Sequence, residues 1–471
     1  MSTSRRQFVA KGFGYAAGSS LLSLVGERVS AGPGPALGAL PIARRVSIDK
    51  IAPVQLAKIE EVVGDMMARS VKNPRDPSGW LINADPHREF CAAPGTGGLA
   101  QIHFCYWFLP WHRAYLTVLD RKLRALSGDA SLSFPYWNWS STRRLPAALT
   151  RQGSSLARAV RFTPARALGP DEVDFFKDDP VLSALGVAAL SATKFVAHAT
   201  SDPVALALEM RDSIGGLVRP NASNIYRNSR MEGSPHGPVH AYVGGVTATG
   251  KLGDMANFAT AARDPAFFAH HGNLDRLWEI WRSKPGNRAK EPTTSDFLDH
   301  VFAFPWLDGT TMQISVADTL DTAKLGYTYD NLNVFEDVSP AFVPEAAPTR
   351  LPPIIDTTVK LPPKPEMIIG SPPRYLLVLE GVATPNRPLS AGVFLSPRLG
   401  GPTILIGSVS IVASGSNFKP IDPVLVFDIT AAVQSLQSPD YRVQVIPNEL
   451  GDEATRPYQH LRFKRASVIA P

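Results

Sequence analysis

The chain has 471 residues, 44% hydrophobic and 19% charged, with a formal net charge of +6. That is the composition of a globular protein with room for a large core and a second, smaller domain. Apolar runs stay below the 18 residues that would argue for a membrane span. No basic stretch interleaved with aromatics argues for nucleic acid, and two cysteines, Cys91 and Cys105, are too few for a disulfide-stapled scaffold.

Residues 1–31 read as an export signal: Ser4-Arg5-Arg6-Gln7-Phe8-Val9, a small and apolar run from Gly12 to Gly26, then Val29-Ser30-Ala31 as a small-residue cleavage site. The paired arginines with Phe8 and the mild hydrophobicity favour the twin-arginine route, which carries folded proteins to the periplasm or beyond. Removing this segment takes away Arg5, Arg6, Lys11 and Arg28 against Glu27, so half of the net positive charge belongs to the signal.

From Arg45 to about Ala68 the apolar spacing predicts a helix, and residues 73–79 predict turns. Chemistry begins at His87, which with Cys91, His103 and His112 falls within 26 residues. Nine steps separate His103 from His112, about 900° of helix, so one continuous helix would put them on opposite sides. Pro110 resolves this: proline suits a first helical turn, so a helix starting near Leu109 carries His112 and leaves His103 on the segment before it.

Downstream, His236 and His240 are four apart and share a face if their segment is helical. Phe267, Phe268, Leu274, Leu277, Trp278 and Trp281 recur at helical spacing and predict a buried helix carrying His270 and His271. Adjacent helical residues point about 100° apart, so one of these two joins a shared site comfortably, and periodicity does not choose between them. Two spaced groups of neutral nitrogen donors, without carboxylate or thiolate, suit copper, with zinc as the competitor.

Residues 302–316 alternate around Asp308-Gly309 and predict a hairpin. Between Pro340 and Arg374 lie ten of the 42 prolines, and residues 340–373 read as an extended linker exposing Arg350 and Lys360 to trypsin. Segments 375–382, 393–395, 403–412, 424–429 and 441–446 predict short strands of an antiparallel β domain over 374–471.

The motifs HFCYWFLPWHRAYL, FPYWNW, EGSPHGPVHAYVGG and DPAFFAHHGNLDRLW resemble those of the tyrosinase, catechol oxidase and polyphenol oxidase group of coupled binuclear copper proteins, the plant-type enzymes above all. The resemblance implies a mainly α catalytic domain over 32–339, a helical bundle holding a dicopper site, followed by a β-sandwich-like C-terminal domain. It assigns copper A to His87, His103 and His112, and copper B to His236, His240 and His271, with His270 a neighbour. It implies a bulky gate at Phe258, thirteen before His271. Glu232 becomes a carboxylate holding a water for proton transfer, and Cys91 a thioether partner of the His103 ring, with a Cys91–Cys105 disulfide as the rival. Tyr327 and Tyr329 mark the end of the catalytic domain.

The implied reaction is oxidation of o-diphenols to o-quinones with O₂ reduced to water. Gly237, where strong phenol hydroxylases often carry asparagine, puts hydroxylation of monophenols in doubt. Ala241 after His240 offers no ionic selection of substrate. The β domain would cover the site until displaced. Two other classes stay open: an O₂ carrier of haemocyanin type, and a metallohydrolase using the same histidines.

Overall fold

A computed structural model describes residues 41–91, 102–103, 106–157, 160–163, 167–168, 231–247, 251–283, 288, 291–332, 352–362, 375–380, 389–411, 425–448 and 463–470. The expected signal segment lies outside these residues.

The N-terminal part is built on helices. The chain enters through a short strand β1 (Ala43–Arg45), then α1 (Pro53–Lys72) and α2 (Trp80–Cys91). The predicted helix over 45–68 is thus displaced: Pro53, which lacks an N–H and is preset for a first turn, fixes the start of α1, and Arg45 belongs to β1. Helix α1 buries Ile59, Val62, Val63 and Met66 on one face and carries Arg69 and Lys72 in its last turn, where cations meet the negative helix end.

Helix α3 (Phe108–Ser127) starts one residue before the expected Leu109, with Pro110 in its first turn, and stops at Gly128, whose φ of 71° is left-handed. A π-helical turn (Glu232–His236) runs into α4 (Gly237–Gly244), and α5 (Ala266–Arg282) follows. Every residue of α5, and α3 from Phe108 to Arg124, is buried, so polar side chains on these helices must find partners inside the core.

Several of them do so in one network. Asp275 on α5 accepts from Arg113 Nε of α3 at 2.5 Å, from Arg45 Nη1 at 3.4 Å, and from the hydroxyls of Tyr327 and Tyr329 at 2.6 and 2.5 Å. Arg45 also reaches Asp120 at 2.8 Å, and Arg113 reaches Glu279 at 2.8 Å. The tyrosines form β4 (Tyr327–Tyr329), which pairs in parallel with β1. The Tyr-x-Tyr motif therefore ties the chain's entry strand to both central helices.

Lys122 lies outside that network. It is buried on α3 and donates to Asn83 Oδ1 at 3.3 Å, and burial lowers its ammonium pKa to about 7. The unfolded chain then holds an extra proton between pH 7 and 10.5, so stability rises with pH through that window and carries the full penalty below it. The width of the window corresponds to roughly 4 to 5 kcal/mol at 1.36 kcal/mol per pH unit. Lys122→Met is expected to raise the melting temperature at pH 7 and to flatten its climb towards pH 10.5; an unchanged climb in calorimetry would refute the assignment.

The expected hairpin is present as β2 (Val301–Pro305) and β3 (Thr311–Ser315), with Phe302, Phe304, Met312 and Ile314 turned inward. The C-terminal part is two antiparallel sheets. One has the order β5 (Ile355–Lys360), β10 (Asp440–Pro447), β7 (Leu389–Pro397), β8 (Ile404–Ile411). The other has the order β11 (Arg465–Ile469), β6 (Leu376–Glu380), β9 (Leu425–Asp428). Leu377 and Leu379 of the second meet Val393, Leu395, Val443 and Val445 of the first in one core, a sandwich arrangement.

Strand β5 lies inside the stretch read as linker. Ile355 and Val359 face the core while Asp356, Thr358 and Lys360 alternate with them, and Asp356 pairs with Arg442 across the sheet. The surrounding prolines hid that alternation. Lys360 is therefore paired opposite Asp440 in the sheet, and Arg350 lies outside the described residues.

Candidate metal centre

Five elements and one connecting segment bring seven histidines together. His87 comes from α2, His103 from the segment before α3, His112 from the first turn of α3, His236 from the π turn, His240 from α4, and His270 and His271 from α5. They form two groups, His87, His103 and His112, and His236, His240, His270 and His271; within each, one ligand atom per residue lies within 4.8 Å of the others. The π turn widens the helix at Pro235, so His236 and His240 still reach one site with ring centroids 4.6 Å apart.

The two groups face each other. The His112 and His271 rings stack with centroids 4.0 Å apart at 3°, and His103 stacks on His236 at 5.6 Å and 30°. Phe267 fills the space beneath, 4.7 Å from His87 and 4.2 Å from His271. Burial holds all seven rings below their ordinary pKa, His112 at about 3 and His240 at about 4. The rings are therefore neutral at physiological pH and keep a lone pair for a metal.

Backbone carbonyls fix which nitrogen carries that lone pair. The Nδ1–H of His87 donates to Phe258 O at 3.0 Å, that of His112 to Phe108 O at 2.7 Å, and that of His240 to Met255 O at 2.9 Å. Nε2 is left as the donor atom in each. Nε2 of His112 and Nε2 of His236 are buried with no hydrogen-bond partner, and Nε2 of His240 faces Nε2 of His271 at 3.2 Å. Buried nitrogens left in this state fit ions placed among them.

His270 behaves differently. Trp139 Nε1–H donates to its Nδ1 at 3.1 Å, which occupies that nitrogen's lone pair and puts the neutral ring's own proton on Nε2. This hydrogen bond is a local difference between His270 and His271 that spacing alone does not show. The motif FPYWNW therefore contributes Trp139 to the centre, a role its sequence does not announce. Its Trp137 N–H also donates to Ala269 O at 2.9 Å, binding the motif to α5.

The other expected residues are placed as follows. Phe258 is partly buried with its ring 5.1 Å from His103. Glu232 is buried at the start of the π turn, and Gly237 is buried at the start of α4. Ala241 is buried in a small cluster with Val246 and Leu252. Cys91 closes α2, but its side chain and all of Cys105 lie outside the described residues, and with them the expected thioether.

A helical bundle holding two facing sets of buried neutral histidines defines a binuclear metal protein. Residues 77–284 match the common central domain of tyrosinase and residues 291–335 match the polyphenol oxidase middle domain. The chain belongs to the tyrosinase and polyphenol oxidase family of type-3 copper proteins, and its two histidine groups are the places for two copper ions. It is 32% identical over 273 residues to a chloroplastic polyphenol oxidase of Vitis vinifera, covering 55% of this chain and 43% of that one. It is 28% identical over 315 residues to polyphenol oxidase D of Solanum lycopersicum, covering 64% and 52%. The chain thus spans about half the length of the curated relatives it matches.

Among solved structures, latent apple tyrosinase shares the fold with a TM-score of 0.64 at 24% identity, covering 93% of this chain and 98% of that one. A latent aurone synthase does so with a TM-score of 0.65 at 18% identity, covering 93% and 91%.

Proposed function

We propose that the chain is a copper-dependent oxidase that converts o-diphenols to o-quinones. The observation that carries this is the stacking of His112 on His271 between two buried sets of neutral histidines. Copper, when bound, supplies O₂ binding and one-electron chemistry at each ion. Two diphenols give up four electrons and four protons, one O₂ takes them, and two waters result.

The protein's part is to hold rings and exclude water. His87, His103 and His112 would hold one ion and His236, His240 and His271 the other, with His87, His112 and His240 already aimed by the Phe258, Phe108 and Met255 carbonyls. Phe267 keeps the floor dry, and the Phe258 ring against His103 is the proposed gate for a planar substrate. Glu232 is the proposed proton acceptor for a phenol. Gly237 carries no side chain to steer a water beside it, so monophenols are expected to be poorer substrates than o-diphenols. The same reading joins Cys91 Sγ to the His103 ring, which would lower the intact mass by a hydrogen pair. It also sends the protein through the twin-arginine translocon.

The C-terminal sheets belong to the reading as a cover. Strands β7 and β8 pack against α4, and β8 against the π turn, so they lie on the elements that carry His236 and His240. Oxygen uptake on catechol, L-DOPA and tyrosine, before and after brief trypsin treatment, tests both parts. Uptake on the two diphenols is expected, and cleavage at Arg350 is expected to raise the rate on bulky diphenols more than on catechol, because access was limiting. A copper-loaded protein that turns over neither diphenol would be an O₂ carrier instead. Rates unchanged by cleavage would make the sheets purely structural.

A further inference from the structure

The backbone carbonyls that aim His240 and His87 come from one short stretch. Met255 O accepts from His240 Nδ1 at 2.9 Å and, three residues on, Phe258 O accepts from His87 Nδ1 at 3.0 Å. The Phe258 ring meanwhile lies 5.1 Å from His103. We infer that residues 253–258 are a positioning segment shared by the two copper sites, so that its placement sets a ligand of copper A and a ligand of copper B together. This rests on the assignment of His87 and His240 to different ions.

The segment has little freedom. Asp254 N–H donates to Val160 O at 2.9 Å and Gly253 N–H to Gly245 O at 3.3 Å. The Thr260 hydroxyl reaches back to Asp254 O at 3.0 Å, pinning the carbonyl next to Met255. On its inner side the segment lies directly on the end of α4: a Cβ on Gly244 would stand 2.1 Å from Ala256 N, against backbone that has nowhere to go. Residue 244 must be glycine for the Met255 carbonyl to sit over His240, whatever its own φ. A shift of this stretch moves the partners of two rings on different ions. Loss of an outer partner of a metal-bound histidine typically weakens binding by about 10- to 100-fold.

The test is copper affinity by chelator competition in the full-length holoprotein, with electron paramagnetic resonance to reveal chains holding a lone Cu(II). Thr260→Val keeps the shape and loses the hydroxyl. It is expected to weaken both ions in step by about three- to tenfold, without a growing lone-Cu(II) signal, and Thr260→Ser is expected to restore both. Gly128→Ala, which strains a left-handed helix end whose added Cβ meets no atom of the segment, should lower the melting temperature and leave both affinities unchanged. Affinity loss confined to one ion, or none for Thr260→Val, would overturn the shared segment. A wild-type protein that binds fewer than two coppers would instead overturn the dicopper reading beneath it.

Discussion

Replacing His271 with alanine is expected to leave about one copper per chain and to bring oxygen uptake on catechol to background, while His270→Ala keeps both ions. The difference arises from a single hydrogen bond. Trp139 Nε1–H occupies His270 Nδ1 and fixes the proton on Nε2, whereas His271 Nε2 faces His240 Nε2 at 3.2 Å in the middle of the second histidine group. Ligand nitrogens must be free of protons to bind, so the prediction takes His271 and not His270 as the ligand. Full copper and activity in His271→Ala, with loss of both in His270→Ala, would reverse the assignment.

The second large effect is expected at Asp275, whose side chain pairs with Arg45, Arg113, Tyr327 and Tyr329 and not with a proposed ligand. Burial raises its pKa, but Arg113, Arg45 and the two tyrosine hydroxyls outweigh that and hold it below 3.8. The carboxylate therefore stays charged, and its contribution to stability is present above its unfolded pKa and lost as the pH falls through its lowered folded one. Asp275→Ala leaves the buried Arg45 and Arg113 short of a counter-charge between α3 and α5. Removing one partner of a buried pair costs about 3 to 5 kcal/mol, equivalent to a melting-temperature drop on the order of 10 °C for a domain of this size. Arg113 follows His112 and Asp275 is four residues after His271, so copper retention should fall with stability. A variant with wild-type melting and copper content would show that Asp120 and Glu279 suffice for the two arginines.

What could be seen in the sequence followed from residue type. Copper chemistry needs imidazoles, so His87, His103, His112, His236, His240 and the 270–271 pair stood out by identity and spacing, and Pro110 placed the start of α3 to within one residue. What could not be seen was carried by backbone or by long-range partners. The carbonyls of Met255, Phe258 and Phe108 exist in every residue and leave no mark in a sequence. Tyr327 and Tyr329 were legible as a boundary, but their hydroxyls on Asp275 depend on the parallel pairing of β1 with β4. Strand β5 was hidden because its short Ile355–Val359 alternation sits among prolines, and β11 because it acquires a core face only when laid against β6.

Metal content of the purified full-length protein tests the central claim most directly. About two coppers per chain and no stoichiometric zinc are expected, with copper retained at neutral pH because the buried rings are neutral there. One copper per chain, or zinc filling both sites, would contradict the dicopper centre formed by the two histidine groups.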